Sequence, residues 1–213
     1  MIYELRPYTL HPGKAPEFIQ HAGGIAMPIR GDRYGKLAGY WSTDVGTLNQ
    51  VLHLWAYDDM AHRTRARAEL SKNERWNAEY VPKIRPLLSK QENTILIPAD
   101  FKQVEPSAQG HGVYEFRTYR LYPGRVADWL ATFKSGLAAR EKYSKLFGLW
   151  SSDVGELNRV AHLWGYTDLN HRAQVRKDSL ADPVWKETVG KLAQFMQLME
   201  NKLLIPTEFS PLR

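Results

Sequence analysis

The sequence predicts an α+β protein of two tandem ferredoxin-like (β-α-β-β-α-β) domains, whose antiparallel sheets pack together as an α+β barrel. Three observations support this fold: the chain is an internal duplication, each copy opens with strand-like alternation, and helical patterns separate the strands. We assign copy 1 to residues 1–98, a linker to 99–112 and copy 2 to 113–213. Because each copy is small, a sheet or barrel shared by both is expected to stabilise them.

The duplication is seen in motifs that recur at a nearly constant separation. The segment IYELRPYTLHPGK (2–14) matches VYEFRTYRLYPGR (113–125), WSTDVGTLN (41–49) matches WSSDVGELN (150–158), and HLWAY (53–57) matches HLWGY (162–166). The separation falls only from 111 residues (2 to 113) to 108 residues (96 to 204), so few insertions distinguish the copies. Between them, residues 99–112 contain Pro, Ser and Gly with little apolar periodicity, which is typical of a linker.

The first strand of each copy is predicted from alternation. In residues 2–10, Tyr3 and Leu5 point to one side, whereas Glu4, Arg6 and Tyr8 point to the other. We expect Tyr3 and Leu5 to lie under the helices and the polar set to lie on the open sheet face.

A helix follows the first strand. Pro12-Gly13 forms a turn, and residues 15–29 are predicted to be helical, although Gly23, Gly24 and Pro28 weaken the pattern. The counterpart at 125–143 is a cleaner helix with one large apolar stripe.

The second and third strands are predicted at 37–42 and 49–57, joined by a turn at 44–46 in which Gly46 adopts a positive φ. In the third strand, His53, Trp55 and Tyr57 share a face with the polar set, while Leu52 and Leu54 belong under the helices.

The second helix of each copy is predicted from its N-cap. Asp58 or Asp59 begins it in copy 1, and Thr167 is expected to do the same in copy 2. A further helical segment around Trp76 or Trp185 precedes the last strand, at 94–97 or 203–205.

Composition excludes several classes of function. The absence of Cys excludes disulfides and thiolate metal sites. No apolar run reaches the roughly 18 residues of a membrane span, and residues 1–6 do not resemble a signal peptide. We expect a cytoplasmic protein, and a membrane is not an expected partner.

Charge and motifs narrow the partners further. The net charge of +6 is spread over both halves, which we interpret as solubility, with an anionic partner as the alternative. No glycine-rich phosphate loop, HExxH, GxSxG or RNA-binding aromatic signature occurs. We expect no cofactor, no metal and no nucleic acid.

The aromatic and charged sheet face is the candidate site. His53 and His162 are the candidate catalytic residues, because imidazole titrates near neutral pH. The candidate ligand-binding residues are Glu4, Arg6, Tyr8, Trp41, Trp55, Tyr57, Glu115, Arg117, Tyr119, Trp150, Trp164 and Tyr166. The alternative is a buried structural network in which Glu pairs with Arg and the rings fill an interface.

Two other groups are better explained structurally. The Ser and Asp after Trp41 and Trp150 suit turns, since no base is placed beside the Ser. The Arg-rich segments at 62–67 and 171–177 are predicted to be solvated helix faces, with recognition of an anion as the alternative.

The two long motifs, at 3–13 with 41–59 and at 114–124 with 150–168, resemble the NIPSNAP family. The resemblance covers nearly all of the chain outside the linker, and it implies a ferredoxin-like α+β barrel. It does not imply an activity, because the family has no generally established reaction.

We therefore expect a protein that binds a small, aromatic metabolite in a cavity between the sheets. If it is an enzyme, fold analogy points to a cofactor-independent monooxygenase or isomerase. The alternative is a structural or interaction module whose aromatic sheet face mediates assembly. A homo-oligomer is expected, and pairing of the halves within one chain or between chains stays open.

Overall fold

The computed structural model describes residues 1–104 and 110–213, and its centre is a barrel of antiparallel strands. The strands in that part of the chain are β1 (Ile2–Leu10), β2 (Lys36–Val45), β3 (Gln50–Tyr57), β4 (Leu88–Gln91), β5 (Thr94–Pro98), β6 (Val113–Leu121), β7 (Leu146–Val154), β8 (Arg159–Tyr166) and β9 (Met196–Pro206). The helices are α1 (Ala15–His21), α2 (Met27–Arg30), α3 (Met60–Lys72), α4 (Val81–Ile84), α5 (Val126–Glu141), α6 (Leu169–Ala181) and α7 (Pro183–Ala193). Shorter turns of helix lie at Ala22–Ala26 and Trp76–Tyr80, both π-helical, and at Arg85–Leu87, which is a 3₁₀ turn.

Eight strands close the barrel in the order β3-β2-β9-β6-β8-β7-β5-β1, with β1 pairing back onto β3. The last strand of each half joins the other half: β5 pairs with β7, where Leu96 faces Ser152, and β9 pairs with β2, where Ser42 faces Ile205. The predicted α+β barrel is confirmed. The two halves also pair within one chain, which answers the question that the sequence left open.

The barrel interior is apolar and is filled by both halves. It contains Tyr3, Leu5, Ala38, Trp41, Leu52, Leu54, Leu96, Tyr114, Phe116, Phe147, Trp150, Ala161, Leu163, Leu204 and Leu212. Tyr3, for example, packs edge-on against Trp150 of the other half, with ring centres 5.8 Å apart. The halves are therefore held together by buried apolar surface as well as by strand pairing.

The predicted assignment of the two strand faces is wrong. Tyr3, Leu5, Leu52 and Leu54 face the barrel interior, whereas Tyr8, Trp55 and Tyr57 pack under the helices of their own half. The physical reason is that the interior has neither helices nor water to satisfy charge, so it takes the purely apolar set. The helix-covered side can hold Glu and Arg, because helices supply partners for them.

Two glycines make room for the interior tryptophans. A Cβ at Gly39 would lie 1.9 Å from the Trp41 ring, and a Cβ at Gly148 would lie 2.1 Å from the Trp150 ring. Both contacts are far inside van der Waals distance, so only glycine fits at these positions.

The first helical region is one residue longer in the first half than in the second. Phe18 and Trp129 correspond, since each packs edge-on against the tyrosine of its first strand at 6.1 Å. Arg30 and Arg140 also correspond, yet the first pair is separated by 111 residues and the second by 110. The π-helical turn at Ala22–Ala26 absorbs the extra residue, whereas α5 is regular. The glycine-weakened helix of copy 1 is therefore continuous but bulged.

Local turns follow the predicted chemistry with one exception. Gly46 has a φ of 119°, as predicted, and Asp59 caps α3 by accepting from the His62 backbone N–H at 2.6 Å. In copy 2 the cap is Asp168, which accepts from the His171 N–H at 2.8 Å, so the prediction of Thr167 is wrong. A carboxylate oxygen is a strong acceptor for an exposed helix N–H, and Asp168 stands where Asp59 does.

The linker prediction includes residues 105–109, which lie outside the described residues. Its first part is not free of the barrel, because Ala99 is buried and donates its backbone N–H to the Leu149 carbonyl at 2.9 Å. Among the described helices, none has the length and apolar character needed to cross a membrane.

Candidate functional site

Each half has a cavity between the outer wall of the barrel and its own helices. The first cavity has a volume of about 300 Å³ and the second about 260 Å³. Both are near the lower end of the usual range for small-molecule pockets, about 300–1,000 Å³. The strand residues that line the first are Arg6, Tyr8, Tyr40, His53 and Trp55, and those that line the second include Glu115, Arg117, Tyr119, His162, Trp164 and Tyr166.

These cavities do not lie between the sheets, where the sequence pattern predicted a cavity. The interior between the sheets is filled by packed side chains, because aromatic rings from both halves meet there. Trp41 and Trp150, grouped with the candidate ligand-binding residues, are fully buried in that interior and line neither cavity. The other candidates share the helix-covered side of the sheet. Of these, Glu4 and Tyr57 lie behind the first cavity wall, bonded to arginines that line it.

His53 is held by its strand neighbour Trp55. The Trp55 Nε1–H donates to His53 Nδ1 at 2.6 Å, and the His53 ring stacks on Tyr40 with centres 5.0 Å apart. His53 is only 5% exposed, and its Nε2 is buried without a hydrogen-bond partner among the described residues. His162 accepts the same bond from the Trp164 Nε1–H at 2.7 Å, although Leu149 takes the place of Tyr40 opposite it.

The environment keeps His53 neutral. Burial, together with the charges of Arg6 and other nearby arginines, lowers the pKa of His53 well below its ordinary value. Because Nδ1 accepts the Trp55 proton, the single imidazole proton resides on Nε2. The unpaired Nε2–H is thus a buried hydrogen-bond donor on a residue that lines the cavity, and this arrangement favours donation to a ligand oxygen over action as a base.

Glu4 forms a buried ion network with strand β1, helix α3 and the β4–β5 connection. Its Oε1 accepts from Arg6 at 2.7 Å, from Arg63 at 2.5 Å and from Asn93 at 3.1 Å. Arg67 lies 3.9 Å from the other oxygen. Burial alone raises the pKa of Glu4, but the hydrogen bond from Arg63 and the charges of its neighbours outweigh it and lower the pKa to about 2.

Copy 2 repeats the network around Glu115. Its Oε1 accepts from Arg117, Arg172 and Asn201, each at 2.7 Å. Burial raises the pKa of Glu115, yet these partners outweigh it and lower the pKa to about 2. The alternative of a buried Glu–Arg network is therefore present in both halves, and it lies next to the cavities instead of replacing them.

The prediction of solvated faces for the Arg-rich helices is wrong for part of each helix. Arg63 and Arg67 turn toward Glu4, and Arg172 turns toward Glu115, because one face of each helix lies on the sheet. Arg65 remains exposed. The sequence signal was present, since arginines at 63 and 67 are one helical turn apart on a single face.

Arg30 is a functional candidate that the sequence reasoning missed. It is only 6% exposed, and its guanidinium carbon lies 3.3 Å from the centre of the Trp55 ring. Its Nη2 donates to the Tyr34 carbonyl and to the Tyr57 hydroxyl, both at 3.0 Å. Recurrence of an arginine at the end of the first helix of copy 2, at Arg140, was the available signal.

The two cavities differ in what lines them. Ala22 lines the first cavity, whereas its counterpart Phe133 packs against His162 with ring centres 5.5 Å apart. Ser71 and Gln91 of the first cavity correspond to Leu180 and Met199 of the second. The first cavity is therefore the more polar one, and both π-helical turns contribute to its wall.

The idea that this aromatic face joins halves or chains does not fit its position. Helices of the same half cover it, and the halves meet instead through the apolar interior. Among residues 1–104 and 110–213, no group of three or more His, Asp or Glu side chains is arranged to hold a metal ion.

A closed antiparallel barrel, covered outside by helices that enclose a cavity in each half, defines an α+β barrel protein. Residues 3–103 and 114–211 match the family model described as NIPSNAP. The chain belongs to the NIPSNAP family, as the two long motifs predicted.

Relatives in other organisms agree with this placement, and a solved structure shares the fold. Protein NipSnap homolog 3A from Homo sapiens is 36% identical over 216 aligned residues, which cover 100% of this chain and 86% of the human protein. Protein NipSnap homolog from Dictyostelium discoideum is 32% identical over 212 residues, covering 97% of this chain and 88% of that protein. A protein from Fusobacterium nucleatum described as a putative monooxygenase superposes with a TM-score of 0.70 at 10% identity, over 96% of this chain and 91% of its own. At that identity the likeness concerns the fold alone.

Proposed function

We propose that this chain binds a small aromatic metabolite in the first cavity, beneath the helices of its first half. The observation that carries the proposal is the buried Nε2–H of His53, which has no partner among the described residues and belongs to a residue of the cavity wall. An unpaired buried donor is costly, at roughly 1–3 kcal/mol. A ligand oxygen that accepted from it would remove that cost.

The rest of the wall suits an aromatic body. Tyr40, Trp55, Trp76 and Tyr80 line the cavity, and aromatic rings offer flat apolar surface for stacking. The first cavity is favoured over the second because the small side chain of Ala22 leaves space beside His53. In the second half, the ring of the corresponding Phe133 fills the space beside His162. Binding is the whole of the proposal: the fold analogy to a cofactor-independent monooxygenase or isomerase supplies no residue-level step.

Native mass spectrometry of the gently purified protein tests the proposal. We expect an added mass of one small molecule per chain, which disappears on denaturation. Ala22→Phe introduces into the first cavity the phenyl ring that Phe133 provides in the second half. This substitution should abolish the added mass without loss of stability. Val189→Tyr, which narrows the second cavity only, is the matched control and should retain it.

The proposal fails if neither a retained molecule nor a panel of one- to three-ring aromatic compounds distinguishes the unmodified protein from Ala22→Phe in mass or melting temperature. The same spectrum counts the chains in the particle and so tests the expected homo-oligomer. The barrel closes within one chain, and a second chain is not needed to complete it.

A further inference from the structure

We infer that the ligand of the first cavity is an anion, carrying a carboxylate or an enolate oxygen on its aromatic body. The inference rests on the proposed function of that cavity and adds the charge of its ligand. It comes from the balance of charges around the cavity and from the donors that remain unused there.

The first cavity is lined by four arginines and no carboxylate. The four are Arg6, Arg30, Arg67 and Arg85. Glu4 lies behind the wall and is already shared by Arg6, Arg63 and Arg67. Neither Arg30 nor Arg85 takes part in an ion pair within 4 Å in the described part of the chain. Positive charge therefore exceeds negative charge among the residues that line the space. A cavity with this balance attracts anions and repels cations.

Arg30 shows most directly that the cavity lacks a negatively charged hydrogen-bond acceptor. A buried guanidinium is normally paired, because an uncompensated charge in a low-dielectric site is unfavourable. Arg30 Nη2 donates to two uncharged oxygens, and Arg30 Nε has no hydrogen-bond partner among the described residues. An anionic oxygen in the cavity would supply the acceptor that this guanidinium lacks.

His53 and Arg30 act on the same space. Both line the first cavity, and Arg30 is among the charges that lower the pKa of His53, so the two groups are within electrostatic reach. An anionic ligand in this cavity would therefore find two unused donors on its wall residues, the imidazole N–H of His53 and the Nε–H of Arg30.

The second half serves as an internal comparison. There, Arg140 donates to the hydroxyls of Ser144 and Tyr166, through both of its terminal nitrogens. Glu115 itself lines the second cavity, and Arg85 is replaced by Ala193 at the corresponding position. The excess of positive charge is therefore smaller, and the inference concerns the first cavity alone.

The test compares two probes that share one aromatic body. Calorimetric titrations with 2-naphthoate and with its neutral analogue 2-naphthamide are run at pH 7.5 and low salt on the full chain. We expect the carboxylate to bind at least tenfold more tightly than the amide. Arg85→Gln and Arg67→Gln should each weaken 2-naphthoate several-fold and leave 2-naphthamide unchanged. Arg65→Gln is the control, because Arg65 is an exposed arginine of α3, the helix of Arg67, and does not line the cavity. This substitution should change the affinity for neither probe.

The outcomes separate the two claims. If both probes bind the unmodified protein equally well and the arginine variants change neither, the cavity binds aromatic molecules but the anionic character is refuted. If neither probe binds, the proposed aromatic site and its charge preference are both refuted for this ligand class. Arg85 is exposed, so Arg85→Gln is not expected to disturb folding, and the result does not depend on replacing the buried Arg30.

Discussion

The indole N–H of Trp55 donates to His53 Nδ1 over 2.6 Å, and Trp164 makes the same bond to His162 over 2.7 Å. In each pair the two side chains are two residues apart on one strand, so they share a face of the sheet. The bond sets the tautomer of a buried imidazole and leaves its second nitrogen as a donor. Both halves therefore build the same preorganised donor from strand geometry alone.

Replacing Trp55 by Phe removes the donor to His53 Nδ1. We expect a loss of about 1–3 kcal/mol in the free energy of unfolding, because a buried acceptor is left unpaired. The imidazole should also lose its single tautomer, which long-range ¹⁵N–¹H correlation spectra of the histidine rings can follow. Trp164→Phe is the matched change in the other half and should affect His162 only. A spectrum of the unmodified protein with the proton on Nδ1 of His53 would refute the assignment.

Replacing Glu4 by Gln should reduce stability at neutral pH and flatten the acid response. The folded-state pKa of Glu4 is about 2, below its ordinary value of 4.5, so its contribution is fully present above pH 4.5 and is lost as pH falls toward 2. A difference of this size corresponds to about 3 kcal/mol. Denaturant unfolding followed by circular dichroism at several pH values between 7 and 2.5 measures it. The difference between Glu4→Gln and the unmodified protein should shrink as the pH falls, and a constant difference would contradict the prediction.

The buried histidines add a second acid response, at higher pH than that of Glu4. Burial holds the pKa of His162 well below its ordinary value of 6.5, so the folded chain resists a proton that the unfolded chain accepts. The stability gained from keeping the ring neutral is present above pH 6.5 and declines below it. His162→Gln should remove part of the slope of unfolding free energy between pH 6.5 and 5. An unchanged slope there would show that the buried imidazole takes up its proton as readily as the unfolded one.

Adding one methyl group inside the barrel should be strongly destabilising. Gly39→Ala would place a Cβ 1.9 Å from the Trp41 ring, which must then leave its position in a packed core. We expect a loss of about 2–4 kcal/mol in unfolding free energy. Gly190→Ala, in the regular helix α7 with open space around it, is the control and should raise stability by about 0.5–1 kcal/mol. Equal effects of the two changes would mean that the close contact at Trp41 is absent.

Deleting Gly24 should remove the extra residue that distinguishes the first helical region from α5. Gly24 is exposed and has nothing within 4 Å of a Cβ built on it, so its removal costs no packing. We expect a folded protein whose melting temperature changes by only a few degrees, because loss of the π-helical turn restores regular hydrogen bonding only up to Pro28, which has no N–H to donate. Binding of 2-naphthoate should fall at least tenfold, since the turn forms part of the first cavity wall. Retained binding in a folded deletion variant would show that the bulge does not shape the site.

Much of the fold could be predicted because the signals are local. Alternation in residues 2–10 and 49–57 identified the strands, Gly46 identified a positive φ, and the repeated motifs identified the duplication. The extended strand β9 was only partly predicted, since residues 196–202 lack a strong alternation of apolar and polar side chains. The π-helical turns were not predicted either, although the one-residue slip in the repeat separation marks the first of them.

The sequence could predict which residues share the candidate site, but it could not predict where in the fold that site lies. Period-two alternation was enough to group Glu4, Arg6, Tyr8, His53 and Trp55 on one face, because neighbouring strand residues must point to opposite sides. It carries no information on which side of the sheet meets the other half. That choice depends on partners far along the chain: Arg63 and Arg67 neutralise Glu4 only after α3 folds onto the sheet. The tertiary structure alone decided it, because charge is stable where helices bring opposite charge, and the closed barrel interior offers none.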